Sequence, residues 1–299
     1  MRRGAAQRHR IFRAANHVHA NLAQPLDLDQ MAEVACLSKF HFVRAFQFYC
    51  RETPAQFLWR TRLDRAARSL VYRPDFSITD VALDCGFSSS QTFSRAFRRR
   101  FAVAPRTLRS SYRPGFACLK QDQSPKAQFQ HVPSYSNYPW TPGDVKIETR
   151  PTYRIAYVRH LGPYWNADGG IARAYADLEQ WARAKGLWSG AAELFGVCPN
   201  NSDVTPAAYC VYDAGLAVDR DVCEDEVVSI QTIPAGRFAV LRVEENQIER
   251  AWTWLGMIWL PASKWTYALD HCYEVIHFRD GQRDRNDMRT DLCMRLTPN

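Results

Sequence analysis

Apolar residues recur at helical spacing through the first third of the chain and alternate at strand spacing through its second half. From Arg8 to Leu22 the stripe Ile11, Ala15, Val18 and Leu22 predicts an amphipathic helix. Leu26–Ala35 reads as a second helix, with Leu28, Met31, Ala32 and Ala35 facing inward. Ser38 is placed to cap a third helix, Lys39–Cys50, in which Phe42, Ala45, Phe46 and Tyr49 share one face. A longer helix, Ala55–Tyr72, comes after Pro54. The pattern then returns: Ile78, Val81 and Ala82 in one helix, a turn at Gly86, and Ser88 as cap of a helix packing Phe93, Ala96, Phe97 and Phe101. The stretches AEVACLSKFHFVRAF at 32–46 and ALDCGFSSSQTFSRAF at 82–97 are near-copies, trailed by Pro54 and Pro105 respectively. The helical module closes near Tyr112.

Residues 114–144 lose the helical period. Prolines 114, 125, 133, 139 and 142 mark a linker, although Phe116, Phe129, Tyr135, Tyr138 and Trp140 predict that part of it packs on the second half of the chain. Residues 145–299 hold a second duplication. Pro151–Arg159 matches Pro234–Arg242 as alternating, strand-like runs, and each precedes a helix with a shared step, Arg173-Ala-Tyr175 and Arg250-Ala-Trp252. Two more strands come after each helix, around 195–197 and 209–218, then around 273–275 and 291–296. The fold class expected is an all-α tandem helix-turn-helix domain (1–113), a Pro-rich linker (114–144) and an α+β domain (145–299). That last domain is built from two pseudo-symmetric strand-helix-strand-strand repeats with a cleft between them.

Charge sharpens this division. Residues 1–115 carry 20 Lys/Arg against 8 Asp/Glu, net +12, whereas 116–299 carry 19 against 23, net −4. A basic first third points to a polyanion partner for that part alone. The chain is 46 % hydrophobic and 23 % charged, a globular composition. No apolar run reaches the roughly 18 residues of a membrane span. The basic N-terminus lacks the apolar core of a secretory signal, so a cytoplasmic location with no membrane partner is expected. Nine cysteines, without a CxxC pair, argue against a disulfide framework or zinc finger. No metal and no cofactor is expected. His17-Val-His19 points apart on a helix and reads as solvated.

In a helix-turn-helix the second helix enters the major groove of double-stranded DNA and presents its exposed N-terminal residues to base edges. With core positions removed, Lys39, Phe40, Val43, Arg44 and Gln47 remain in the first unit, and Ser89, Ser90, Gln91, Thr92 and Arg95 in the second. Arg44 and Arg95 are equivalent and suit guanine O6/N7; Gln91 suits adenine, and Phe40 and Val43 suit thymine methyls. Arg98, Arg99, Arg100 and Arg106 read as phosphate contacts. The bland alternative for Arg44, Gln91 and Arg95 is a solvated helix face; for Phe40 it is a place in the core, so exposure of that ring would itself favour base contact. Two unlike reading helices on one chain fit an asymmetric site spanning successive major grooves, about 34 Å apart.

The stretch GFSSSQTFSRAFRRRFAVAP resembles the signature of AraC-type transcription regulators, and the whole span from Arg8 to Tyr112 is similar to their DNA-binding module. The resemblance implies a bacterial gene regulator binding asymmetric sites, with RNA polymerase as a further partner. One departure stands out: Cys36 occupies the first turn where the second has Gly86, so either φ stays negative or strain is accepted.

The second half resembles GyrI-like ligand-binding domains, on HLGPYW at 160–165, IPAGRF at 233–238, Trp259-Leu-Pro261 and the Tyr273-Glu274-Val275 strand. That resemblance implies that Glu274 sits in an aromatic cleft and attracts lipophilic cations. The residues are consistent with it: a partly desolvated carboxylate is costly without a cation or donors, and the duplicate offers Gly196 where this copy has Glu274. Tyr157, Tyr164, Trp165, Phe195, Tyr209, Trp252 and Phe278 are the candidate cage, each also readable as plain core. The alternative for Glu274 is a salt bridge to Arg242 or Arg295. No GxSxG, HExxH or phosphate-cradling loop is present, so an enzyme is not expected. Two alternatives remain for this half: a protein-interaction module, or a hydrolase of the kind known among free-standing GyrI-like proteins.

Overall fold

The computed structural model of the 299-residue chain describes residues 2–73, 75–111, 138–164, 169–189, 192–201, 204–218, 222–270, 272–278 and 288–298, with the backbone alone at 2, 3, 111, 278, 288 and 298. These form two compact units. The first comprises residues 1–130 together with 200–209, the second 131–199 with 210–299. The segment 200–209, expected inside the α+β domain, thus belongs to the helical unit.

The first unit contains α1 (Arg2–Ala20), α2 (Leu28–Val34), α3 (Lys39–Cys50), α4 (Pro54–Tyr72), α5 (Ile78–Asp84), α6 (Ser90–Phe101) and α7 (Pro105–Ser111). Each helix-turn-helix starts on a reciprocal cap: Asp27 with Gln30, and Ser77 with Asp80. Such caps are worth about 1 kcal/mol each. Thr53 and Gln56 cap α4 in the same way. The two turns differ by one residue. From Asp27 to Ser38 the chain uses 11 steps, and from Ser77 to Ser89 it uses 12. The additional residue is Ser88, so the cap of α6 is Ser89, not the expected Ser88; its Oγ accepts from the Thr92 amide at 3.2 Å. Ser38 holds the N-cap position of α3, but its hydroxyl meets His41 Nδ1 at 3.1 Å instead of capping the backbone.

Both turns close through left-handed residues, Cys36 (φ +51°) and Gly86 (φ +76°). Cys36 therefore accepts the strain, which costs a non-glycine residue roughly 1–2 kcal/mol. Gly86 is required twice over, since a Cβ there would overlap the Leu22 carbonyl and stand 2.8 Å from the Arg62 guanidinium. Arg62 uses that space to donate to Leu22 O (3.1 Å) and Gln24 O (2.8 Å), tying α4 to the loop before α2.

The helices enclose two apolar cores. Ile11, Val18, Phe42, Phe46 and Phe57 centre the first; Leu70, Phe87, Phe93, Phe97 and Leu108 centre the second, with Val204 buried among them. A phenylalanine buried this completely contributes roughly 1.5–3 kcal/mol. Helix α4 lies between them and is buried even at Arg60, Thr61, Arg62 and Asp64.

The second unit is one antiparallel sheet with helices. Its elements are β1 (Lys146–Arg150), β2 (Tyr153–Leu161), α8 (Gly170–Ala184), β3 (Leu194–Val197), β4 (Val211–Ala217), β5 (Ser229–Ile233), β6 (Gly236–Glu244), α9 (Ile248–Trp254), a π turn (Leu255–Trp259), α10 (Leu260–Ala262), β7 (Trp265–Tyr267), β8 (Tyr273–Phe278) and β9 (Met288–Pro298). The strand order is β1-β6-β9-β8-β3-β4-β2-β5, with β7 paired to β9. Both predicted repeats are present, as β2-α8-β3-β4 and β6-α9-β8-β9, related about the central β3–β8 seam. Three strands were not anticipated: β1, β5 and β7. Two of them exchange partners. Strand β1 precedes the first repeat but pairs with β6 of the second, while β5 precedes the second and pairs with β2 of the first. Residues 114–137 of the predicted linker lie outside the described residues. Its end packs as expected, with Trp140 against Trp254 at 6.0 Å and the Arg250 guanidinium over Tyr138.

Candidate nucleic-acid interface and small-molecule site

On α3, Lys39, Phe40, Arg44 and Gln47 are exposed and Val43 is half-buried; on α6, Gln91, Thr92, Arg95, Arg98 and Arg99 are exposed, and Ser89 and Ser90 half-buried. Phe40, Arg44 and Gln47 on α3, and Gln91, Thr92, Arg95 and Arg99 on α6, lie on the face opposite the buried phenylalanines of their helix. Phe40 is 87 % exposed, an unusual state for an aromatic ring on an otherwise satisfied helix. Phe48, eight residues on and 77 % exposed, was not singled out by the sequence pattern. Lys39 forms a surface pair with Asp29 at 2.6 Å, of the kind worth only about 0–1 kcal/mol. The Ser89 hydroxyl is engaged with Thr92 and so is tied to helix capping.

Arg100 departs from the expected phosphate-contacting row. It turns inward and meets Asp64 Oδ1 at 3.3 Å. Asp64 also receives Arg60 at 3.2 Å, and Arg60 clamps Glu52 at 2.6–3.1 Å. Burial pushes the Glu52 carboxyl above its ordinary value despite these donors. Arg98, Arg99 and Arg106 remain exposed.

In the second unit Glu274 lies directly opposite Gly196 across the β3–β8 seam. It is only 6 % exposed. Tyr212 Oη donates to its Oε2 at 2.9 Å and Trp252 Nε1 to its Oε1 at 3.0 Å. Tyr175 Oη lies 3.1 Å from Tyr212 Oη and donates to Phe195 O at 2.8 Å. Tyr175 and Trp252 are the two residues of the shared helical step, so both repeats supply one aromatic group to a chain of polar contacts across the pseudo-twofold. Burial raises the Glu274 pKa, against the lowering effect of the Trp252 and Tyr212 hydrogen bonds. It also raises Tyr212 and Tyr175 well above the usual phenol value, which keeps both hydroxyls protonated as donors.

No salt bridge to Glu274 occurs among the described residues. Arg242 is committed to Asp291 at 2.6 Å and Arg295 to Asp270 at 3.4 Å. Arg242–Asp291 has its counterpart in the other repeat, Arg159–Asp213 at 2.7 Å. Burial raises the Asp291 pKa, but hydrogen bonds from His277 and Arg242 outweigh it and hold this carboxyl far below the usual range.

The remaining candidates separate by strand alternation. Tyr164 joins the Glu274 face, its ring 6.1 Å from Tyr212. Tyr157 and Phe195 are fully buried on the opposite face, with Tyr273, Val275 and Phe238. Side chains flip at every residue along a strand, and Phe195 pairs with Val275 one step from the Gly196–Glu274 pair. Tyr209 lies in the first unit, its ring 5.4 Å from the Arg60 guanidinium. Trp165 lies outside the described residues, as does the Phe278 side chain. Tyr212 and Tyr175, which extend the polar contacts from Glu274, were missed. The signal was available in the alternation Tyr212, Ala214, Leu216 of β4, which places Tyr212 on the face of Glu274.

A GyrI-like small molecule binding domain model matches residues 143–297, and a helix-turn-helix domain model matches residues 31–111. The transcriptional regulator ArgR of Pseudomonas aeruginosa is 36 % identical over 108 residues, 36 % of this chain and 32 % of that protein. The chain thus spans about a third of that relative's length. The crystal structure of an AraC-type regulator from Chromobacterium violaceum is 31 % identical over 34 % of this chain and 90 % of that one, with a TM-score of 0.32. The EcmrR C-terminal domain is 12 % identical over 52 % of this chain and 98 % of its own, with a TM-score of 0.41. The chain belongs to the GyrI-like family and carries an AraC-type helix-turn-helix domain ahead of its GyrI-like domain.

Proposed function

We propose that this protein is a transcription regulator that reads an asymmetric double-stranded DNA site through α3 and α6 and senses a small lipophilic cation at Glu274. The DNA reading is supported by the pair of unlike exposed faces: Phe40 and Arg44 on one helix, Gln91, Thr92 and Arg95 on the other. Arg95→Ala and Arg44→Ala should each cost about 1–3 kcal/mol at the cognate site and relax base preference there. Binding to a selected duplex and to a scrambled one, compared at fixed salt, tests this. An unchanged specificity ratio assigns both arginines to the phosphate backbone.

The effector reading is supported by a buried carboxylate that has two aromatic donors and no cationic partner among the described residues. A cation with an apolar surface satisfies it at little desolvation cost and adds ring contacts. Glu274→Gln should weaken tetraphenylphosphonium by about 2–3 kcal/mol, the attraction between unit charges about 6 Å apart at an effective dielectric constant near 20, since this cation cannot hydrogen-bond. Since burial raises the Glu274 pKa, cation affinity should rise with pH as that carboxyl ionises, and the glutamine variant should lose the slope. Tryptophan quenching across pH reads both, and equal affinities for the two proteins contradict the reading.

A further inference from the structure

The segment 204–209 is built into the helical unit although it is flanked in the chain by strands of the sensor sheet. Val204 is 6 % exposed and packs in the second helix-turn-helix core with Leu63, Phe97 and Phe101. Thr205 is 1 % exposed and donates its hydroxyl to Asp64 Oδ2 at 2.8 Å. Arg100, on the reading helix α6, donates both to Asp64 and to the Val204 carbonyl (3.4 Å). The Tyr209 ring lies against Arg60. An apolar plug, a buried hydroxyl and a ring stacked on a guanidinium are three independent contacts, which together are too specific for a passing loop.

The chain on either side supplies the other half of the argument. Seven residues before Val204 is Val197, the last residue of β3, which also holds Gly196. Three residues after Tyr209 is Tyr212, the donor to Glu274. The segment therefore ends close in sequence to both residues that frame the carboxylate, and it contacts both α4 and α6.

We propose that residues 204–209 form a regulatory strap, which transmits the state of the Glu274 site to α6 by adjusting how Val204 and Thr205 brace Arg100 and Asp64. This rests on the effector reading above only for the identity of the signal. The mechanical content is that Tyr212 and Thr205 move as parts of one short span. A group entering beside Glu274 displaces Tyr212 Oη, and the span shifts the Thr205 and Val204 contacts. Arg100 then re-seats on Asp64, turning the face that carries Arg95 and Arg99. Coupling is reciprocal, so DNA bound by α6 must alter the strands that bound the strap.

Hydrogen exchange on the full chain, with and without a duplex selected from a random pool, tests this without any effector. Bound DNA should slow exchange of residues 211–217 about fivefold, at the lower end of typical couplings. Thr205→Val keeps the volume but removes the hydroxyl; it should reduce that response to under twofold, with DNA affinity alone unchanged within twofold. Thr205→Ser should restore it. The same response in wild type and Thr205→Val, or none in wild type, overturns the strap. In a second arm, tetraphenylphosphonium should change the DNA Kd of wild type and not of Thr205→Val. If that cation fails to bind while the exchange response follows Thr205, the strap stands and the effector reading falls.

Discussion

Replacing Arg60 by Met should destabilise the helical unit by about 3–5 kcal/mol, the cost of stranding a buried acid. Among the described residues Glu52 receives three hydrogen bonds, all from Arg60, at 2.6, 3.0 and 3.1 Å, and both residues are buried. Asp64 is less exposed to the loss, because Arg100 and Thr205 also reach it. The orphan is therefore Glu52. Its carboxyl is already pushed up by burial, and losing Arg60 pushes it further, so the variant's folded state holds a proton that its unfolded state releases. With the folded pKa above the unfolded one, stability rises as pH falls. The Met variant's deficit should accordingly be larger at pH 8 than at pH 5. Urea midpoints at the two pH values read this. The double variant Glu52→Gln/Arg60→Met should recover much of the loss at pH 8, since the charge has gone. A deficit that is flat with pH and not rescued by the glutamine would locate the cost in lost packing instead.

The second large effect is expected at Gly196. A Cβ there would overlap the Tyr212 hydroxyl and stand 2.9 Å from Glu274 Oε2. Gly→Ala substitution usually gains about 0.4–1 kcal/mol by restricting the unfolded chain. Overpacking a filled site costs about 1–3 kcal/mol, and here the obstacle is a buried ring, so the penalty wins. Gly196→Ala should thus lower stability and, if Glu274 is the cation site proposed above, also weaken tetraphenylphosphonium, because Tyr212 can no longer reach Glu274. The Tyr212→Phe background decides the cause. Removing the hydroxyl clears the worst overlap, so the alanine should cost markedly less there, a coupling of about 0.5–3 kcal/mol in a double-mutant cycle. Additive effects would mean that the two residues do not compete for the same space.

Local chemistry explains what could be read from the chain. Helices α3 and α6 were legible because phenylalanines at helical spacing form one apolar stripe that must be buried, and the duplicated half showed itself by alternation. The Ser89 cap was misplaced because a one-residue insertion, Ser88, is invisible when two copies are aligned by their helices. Tyr157 and Phe195 entered the cage list because aromatic content was weighed without strand parity. Long-range placement was harder. Arg60, Asp64 and Arg62 sit on the helix that connects the two helix-turn-helix units, and nothing local shows that Arg100 and the Thr205 hydroxyl, far along the chain, will reach Asp64 there. Strands β1 and β5 were overlooked because their burial is supplied by the other repeat.

That exchange of edge strands has a consequence for how the sheet is made. Lys146 of β1 pairs with Val240 of β6, so the first strand synthesised must wait for a partner 94 residues downstream. At translation rates of about 5–20 residues per second, this is a delay of roughly 5–20 s during which its backbone groups are unpaired. Such non-local pairings make closure slow and leave nascent edges open to the wrong partner. The sequence of β1, KIETR, is suited to the wait: four of its five side chains are polar or charged, which disfavours pairing with a neighbouring nascent chain. A truncation between the repeats would leave β1 without a mate and β2 with a bare flank. Each repeat thus completes the edge of the other, and a cut between them takes a paired strand from both.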